Sequence, residues 1–82
     1  MTAVSRNTYC KWVVNALRAL GPSRPENVYR WIKANEPVPA SELNGTTSDG
    51  ENLFKKNVRW ARFTLYKDGT VTSPSRGVWA LK

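Results

Sequence analysis

Between Glu51 and Asp68 the chain carries Lys55, Lys56, Arg59 and Arg62 with Phe63 and Tyr66 interleaved and no carboxylate among them. At about 100° per residue, Lys55, Arg59, Arg62 and Tyr66 fall opposite or beside an apolar stripe of Phe54, Val58, Ala61 and Leu65, and Lys56 and Phe63 complete that face. Cations in such an array bind polyanions. Ammonium and guanidinium groups reach phosphate oxygens, and arginine forks onto guanine when a helix enters the major groove. The N-terminus of that helix adds backbone N–H donors for phosphate. A basic face is often only a solvated one, but here no acid lies between Glu51 and Asp68 to compensate the cations, as i, i+4 partners commonly do in such a helix. A second set of donors, Ser73, Ser75 and Arg76, lies a few residues downstream, suited to a phosphate or the minor groove.

Other chemistries find little to work with. There is no histidine, no glycine-rich phosphate loop, and the six carboxylates (Glu26, Glu36, Glu42, Asp49, Glu51, Asp68) are scattered rather than paired. A nuclease needs clustered acids to hold Mg²⁺ against phosphate. Catalysis, a metal site and a cofactor are therefore not expected. Cys10, alone and without a histidine to activate it, reads as a small buried hydrophobe rather than a nucleophile. Trp12, Trp31, Trp60 and Trp79 all sit next to apolar stripes and are expected to pack in the core, although Trp60 and Trp79 have the faces to stack on a base. For Phe63 and Tyr66 packing and stacking remain equally open.

The elements that must position these groups follow from periodicity. Trp12, Val13, Ala16, Leu17 and Leu20 recur at helical spacing from about Thr8 to Leu20, and Gly21 with Pro22 stops that helix. A second helix is announced by residues 23–27, with Pro25 suited to its first turn and Glu26 favourable near the positive end of its dipole. Its apolar stripe is Val28, Trp31 and Ile32. Residues 36–50, with Pro37, Pro39, Gly45 and a Thr-Thr-Ser-Asp-Gly run, predict a long loop, either a contact element or plain disorder. The third helix spans about Glu51 to Lys67 and stops at Asp68 and Gly69. Two β-prone runs, Thr70 to Thr72 and Gly77 to Leu81, are joined by Ser73, Pro74, Ser75 and Arg76 as a hairpin with a basic tip. The expected fold is α+β: a winged helix-turn-helix with three helices followed by a C-terminal hairpin wing, residues 1–7 forming a tail.

Size and composition agree. With 82 residues and 40% hydrophobic content, one domain is expected, near the lower limit at which a chain buries its own core. One cysteine precludes an internal disulfide. No secretory or membrane-spanning stretch is visible, so a cytoplasmic location is expected, and Asn44-Gly45-Thr46 reads as a polar loop rather than a glycosylation acceptor. The formal charge of +7 is uneven. Residues 1–50 hold six basic and four acidic side chains, whereas residues 51–82 hold seven and two, so the partner-facing surface belongs to the second part.

The segments Val28 to Ile32 (VYRWI), Asn57 to Arg62 (NVRWAR) and Arg76 to Leu81 (RGVWAL) resemble the N-terminal winged-helix domain of Mrr-type restriction proteins over nearly the whole chain. The VRWAR helix and the SRGVWAL strand are the most specific parts. The resemblance implies a DNA-binding or DNA-sensing module of a defence system that cuts foreign or modified DNA, normally attached to a nuclease domain. That domain is not in this sequence, so the chain is expected to be a piece of a longer protein or a free-standing recruiter or regulator. It departs from the family pattern in the loop from Pro37 to Gly50 and at Asp68. A looser similarity runs to winged domains of eukaryotic chromatin proteins that end in a Gly, aromatic, small, Leu strand.

Double-stranded DNA is thus the expected partner, held by Lys55, Lys56, Arg59, Arg62, Tyr66, Ser75 and Arg76, with a nuclease domain or subunit as a second partner. The alternative is a protein-interaction or dimerisation module working through the first helix or the wing. A third reading has Trp60, Phe63 or Tyr66 sensing the methyl of a modified base.

Overall fold

The computed structural model describes residues 4–82. Helix α1 spans Arg6–Leu20, α2 Pro25–Asn35, α3 Ala40–Asn44 and α4 Leu53–Lys67, followed by strands β1 (Val71–Ser75) and β2 (Val78–Leu81). The α+β class and the terminal hairpin hold. There are four helices among the described residues rather than three, because residues 36–50 contain α3 and are not one irregular loop. The expected tail also shrinks: Ser5 caps α1, its side chain accepting from the Thr8 amide, so the helix begins at Arg6. Residues 1–3 of that tail lie outside the described residues.

The core forms where the apolar stripes of three helices meet. Tyr9, Trp12, Val13, Ala16 and Leu17 of α1, Val28 and Ile32 of α2, and Phe54, Val58, Ala61 and Leu65 of α4 are buried together, with Val71 and Trp79 from the hairpin. Burying each of the larger side chains contributes about 1.5–3 kcal/mol. Leu20, expected at the end of the α1 stripe, is exposed, and Tyr9, one turn before Trp12, is buried in its place.

Residues 36–50 are ordered by hydrogen bonds rather than by an apolar period. Tyr9 of α1 donates its hydroxyl to Glu42 Oε1 at 2.7 Å, and the Asn57 amide of α4 approaches the same oxygen at 3.3 Å. Asn52 caps α4 through Lys55 N, while its amide donates to Leu43 O. Thr47 Oγ1 accepts from the amides of Asp49 and Glu51, drawing the turn back toward α4. Gly45 has an ordinary φ, yet a Cβ there would lie 2.6 Å from Ser41 O and 2.9 Å from Leu53 Cδ2. The turn between α3 and α4 is too tight for any other residue.

The strands pair Val71 with Leu81, Thr72 with Ala80 and Ser75 with Val78 in antiparallel register, with a bulge between Thr72 and Ser75. Pro74, which has no N–H to donate, falls in that irregular stretch. The turn itself is Arg76 and Gly77, whose φ of +74° suits glycine. On its other edge β2 meets Ser23, whose N–H and C=O exchange bonds of 2.9 and 2.8 Å with Trp79. The hairpin is thereby tied to the segment that leads into α2. No helix among the described residues is long and apolar enough to cross a membrane.

Candidate nucleic-acid interface

Helix α4 positions the basic residues because its four core side chains fix its rotation. Phe54, Val58 and Ala61 are fully buried and Leu65 nearly so. Lys55 and Arg59 are therefore exposed, and Lys56 and Arg62 half-buried. Tyr66 is 51% exposed and Phe63 43%, which places both on the outer face of α4.

The arginines are not as free as their surroundings in the sequence suggest. Arg59 Nη2 meets Glu51 Oε1 at 2.7 Å, an ion pair with both side chains 45% exposed. The acid stands eight residues earlier, where a helical i, i+4 search does not reach, and the fold-back of residues 46–52 delivers it. The expectation of cations without an acidic partner fails at Arg59 for that reason. Such an exposed pair is worth at most about 1 kcal/mol. Arg62 is held more firmly: its Cζ lies 5.5 Å from the centroid of the Trp79 ring and 5.9 Å from that of Tyr66. Its Nε is buried without a hydrogen-bond partner.

Beside this lies a cleft between α2 and α4, lined by Pro25, Glu26, Tyr29, Arg30, Lys33, Lys55 and Arg59. Lys55 Nζ sits 5.9 Å over the Tyr29 ring and Lys33 Nζ 5.6 Å over Phe54. Burial raises the Tyr29 phenol, against the opposing pull of Arg59. The sequence reading missed Arg30 and Lys33. Their signal was present: both fall on the face of α2 away from Val28 and Ile32.

The hairpin presents Ser75 and Arg76 to solvent at or beside its turn, as expected. Ser73 does not belong with them. It lies within β1, and its hydroxyl is directed at the carbonyls of Ser75 and Val78, 3.0 Å from each, across the bulge. Its single proton is used inside the hairpin.

Trp60 is the largest correction. Expected in the core, it is 46% exposed, because among the described residues only the start of α1 reaches that side of α4 and covers it in part. Its ring packs edge-on against Phe63 at 5.9 Å and is faced by Arg6 Cζ at 5.6 Å. Trp12 and Trp79 are buried as expected and Trp31 is half-buried. Cys10 is also half-buried, its thiol 3.9 Å from Ala61 O. Burial pushes that thiol up, as does Asp68, while Arg6 opposes them. That is the opposite of an activated nucleophile.

The Mrr N-terminal domain family matches residues 7–82, essentially the whole chain. The chain belongs to this family. No curated protein and no solved structure matches it. For this Mrr N-terminal domain the resemblance carried by VRWAR and SRGVWAL has a structural counterpart, since Arg62 at the end of the first motif stacks on Trp79 in the second. The two segments that looked most specific are in contact.

Proposed function

We propose that this chain is a non-catalytic winged-helix module that binds duplex DNA, with α4 in the major groove and the hairpin as a wing against the neighbouring backbone. One observation carries the reading: the outer face of α4 bears Lys55, Lys56, Arg59, Arg62 and Lys67 beside one acid, Glu51, and the opposing wall of α2 adds Arg30 and Lys33 beside Glu26. A surface so biased attracts phosphates, and its binding weakens with salt because counterions are released. The winged-helix assignment is supported by the order of α1, α2, α4 and hairpin, and by the Ser23 bridge that gives β2 a partner on each edge. Family membership supports a role in a restriction system, beside a nuclease domain or subunit. The scattered carboxylates and the lack of histidine support a binding rather than a catalytic role.

The deciding experiment is a titration with labelled duplex and single strand between about 50 and 200 mM salt, where log K should fall by about 0.9 per phosphate contact. A flat response overturns the reading. The exposed aromatics of α4 favour one rival, a protein-interaction module. Sedimentation showing a tight dimer indifferent to DNA would establish it.

A further inference from the structure

Viewed across its exposed face, α4 is zoned. Phe63 and Lys56 point directly away from the core stripe at about 100° per residue. On the α2 side follow Arg59, Tyr66, Lys55 and Arg62, and on the α1 side Lys67 and Trp60, the latter beneath Arg6. Three of the four exposed large hydrophobics among the described residues, Trp60, Phe63 and Tyr66, lie on this one helix. Trp60 and Phe63 share a shallow depression with Lys56, Arg59 and Arg62.

A helix seated in the major groove turns its central ridge toward base edges and its flanks toward the two phosphate strands. Here the ridge carries Phe63 beside Lys56, with Trp60 next to it on the α1 side, and Arg59, Lys55, Arg62 and Lys67 line the flanks. Guanine is read most often by a forked guanidinium, and also by lysine; here Arg62 is stacked aside on Trp79 and Tyr66 with its Nε buried, and Arg59 leans on Glu51. The apolar feature that the major groove offers to Phe63 and to Trp60 beside it is the C5-methyl group of thymine.

Resting on the duplex-binding reading, we infer that Phe63 and Trp60 read thymine methyl groups in the major groove, while the arginines and lysines flanking them hold the backbone. The module then prefers duplexes that carry thymine at the contacted positions. Lys67, with Nζ 5.3 Å from the Phe63 ring, adds a phosphate contact on the far flank.

Replacing thymine by uracil tests this, because it removes the methyl and leaves charge and hydrogen-bond pattern intact. The full chain is titrated with matched thymine and uracil duplexes, and with a third in which only cytosines carry a C5-methyl. Thymine should bind more tightly than uracil by about fourfold per contacted methyl. Phe63→Ala and Trp60→Ala should bring that ratio toward one, and both side chains are exposed enough for the variants to fold, as circular dichroism would verify. Lys56→Ala and Lys67→Ala should weaken both duplexes equally and keep the ratio. Equal affinity for thymine and uracil overturns the inference, whether or not methylcytosine tightens binding. So does a thymine preference that survives loss of both aromatics. Failure of every duplex to bind instead overturns the DNA-binding reading beneath it.

Discussion

The Tyr9 hydroxyl donates to the Glu42 carboxylate at 2.7 Å, across 33 residues of chain. Glu42 is only 5% exposed, so this bond and the one from Asn57 hold a carboxylate that would otherwise be buried alone. Tyr9→Phe keeps the ring packing against Trp12 and Phe54 but strips the oxygen of its closest donor. It should cost about 1.5–3 kcal/mol, the range for a hydrogen bond to a charged partner. Urea denaturation reads the loss as a lower midpoint at unchanged slope. An unchanged midpoint would show that the latch contributes nothing.

The same phenol makes stability sensitive to alkali. Burial, reinforced by Glu42, pushes Tyr9 well above its ordinary value of 10.0, and burial raises Tyr29 as well. Above about pH 10 the unfolded chain releases these protons first, so it binds fewer protons than the native state and unfolding becomes easier as pH rises. Their contribution is complete below the unfolded value and is lost as pH climbs toward the folded ones. Thermal unfolding from about pH 8 to 11 should show a falling midpoint, and Tyr9→Phe should make the fall shallower. A wild-type midpoint constant over that range would contradict the assigned shift.

Arg59 and Arg62 should separate by their effect on stability. Removing Arg59 breaks an exposed ion pair and should leave the stability within about 0.5 kcal/mol of wild type. Arg62→Ala should lose about 1 kcal/mol, because its guanidinium packs on Trp79 and Tyr66. Both should weaken DNA binding, each lowering the salt slope by about 0.9 if it contacts a phosphate. Calorimetry beside a binding titration checks the pair; equal stability for the two variants would remove the structural role given to Arg62.

In the hairpin the roles divide the other way. Arg76, exposed at the turn, should when changed to alanine lower affinity and leave unfolding unaltered. Ser73→Ala should cost about 1 kcal/mol of stability, since its hydroxyl ties the bulge to Val78, while the salt slope stays at its wild-type value. Binding that is lost with Ser73 in a folded variant would return that residue to the contact surface.

Sequence alone determined the parts that depend on local periodicity. The stripes of α1, α2 and α4 repeat at the pitch of a helix, and glycine and proline end them, so their extents were legible within a few residues, as was the basic face of α4. Tertiary structure decided what depends on partners distant along the chain. Helix α3 has only five residues and no stripe; it stands because Tyr9 and Asn57 meet Glu42. A helical wheel assigns Trp60 an angle, but only the packing of α1 on α4 determines whether anything covers that angle. Arg59 finds its acid, and Arg62 its indole, through chain reversals that no spacing encodes. Periodicity records which side of a helix is apolar, whereas the identity of the neighbour depends on how several such sides close around one core.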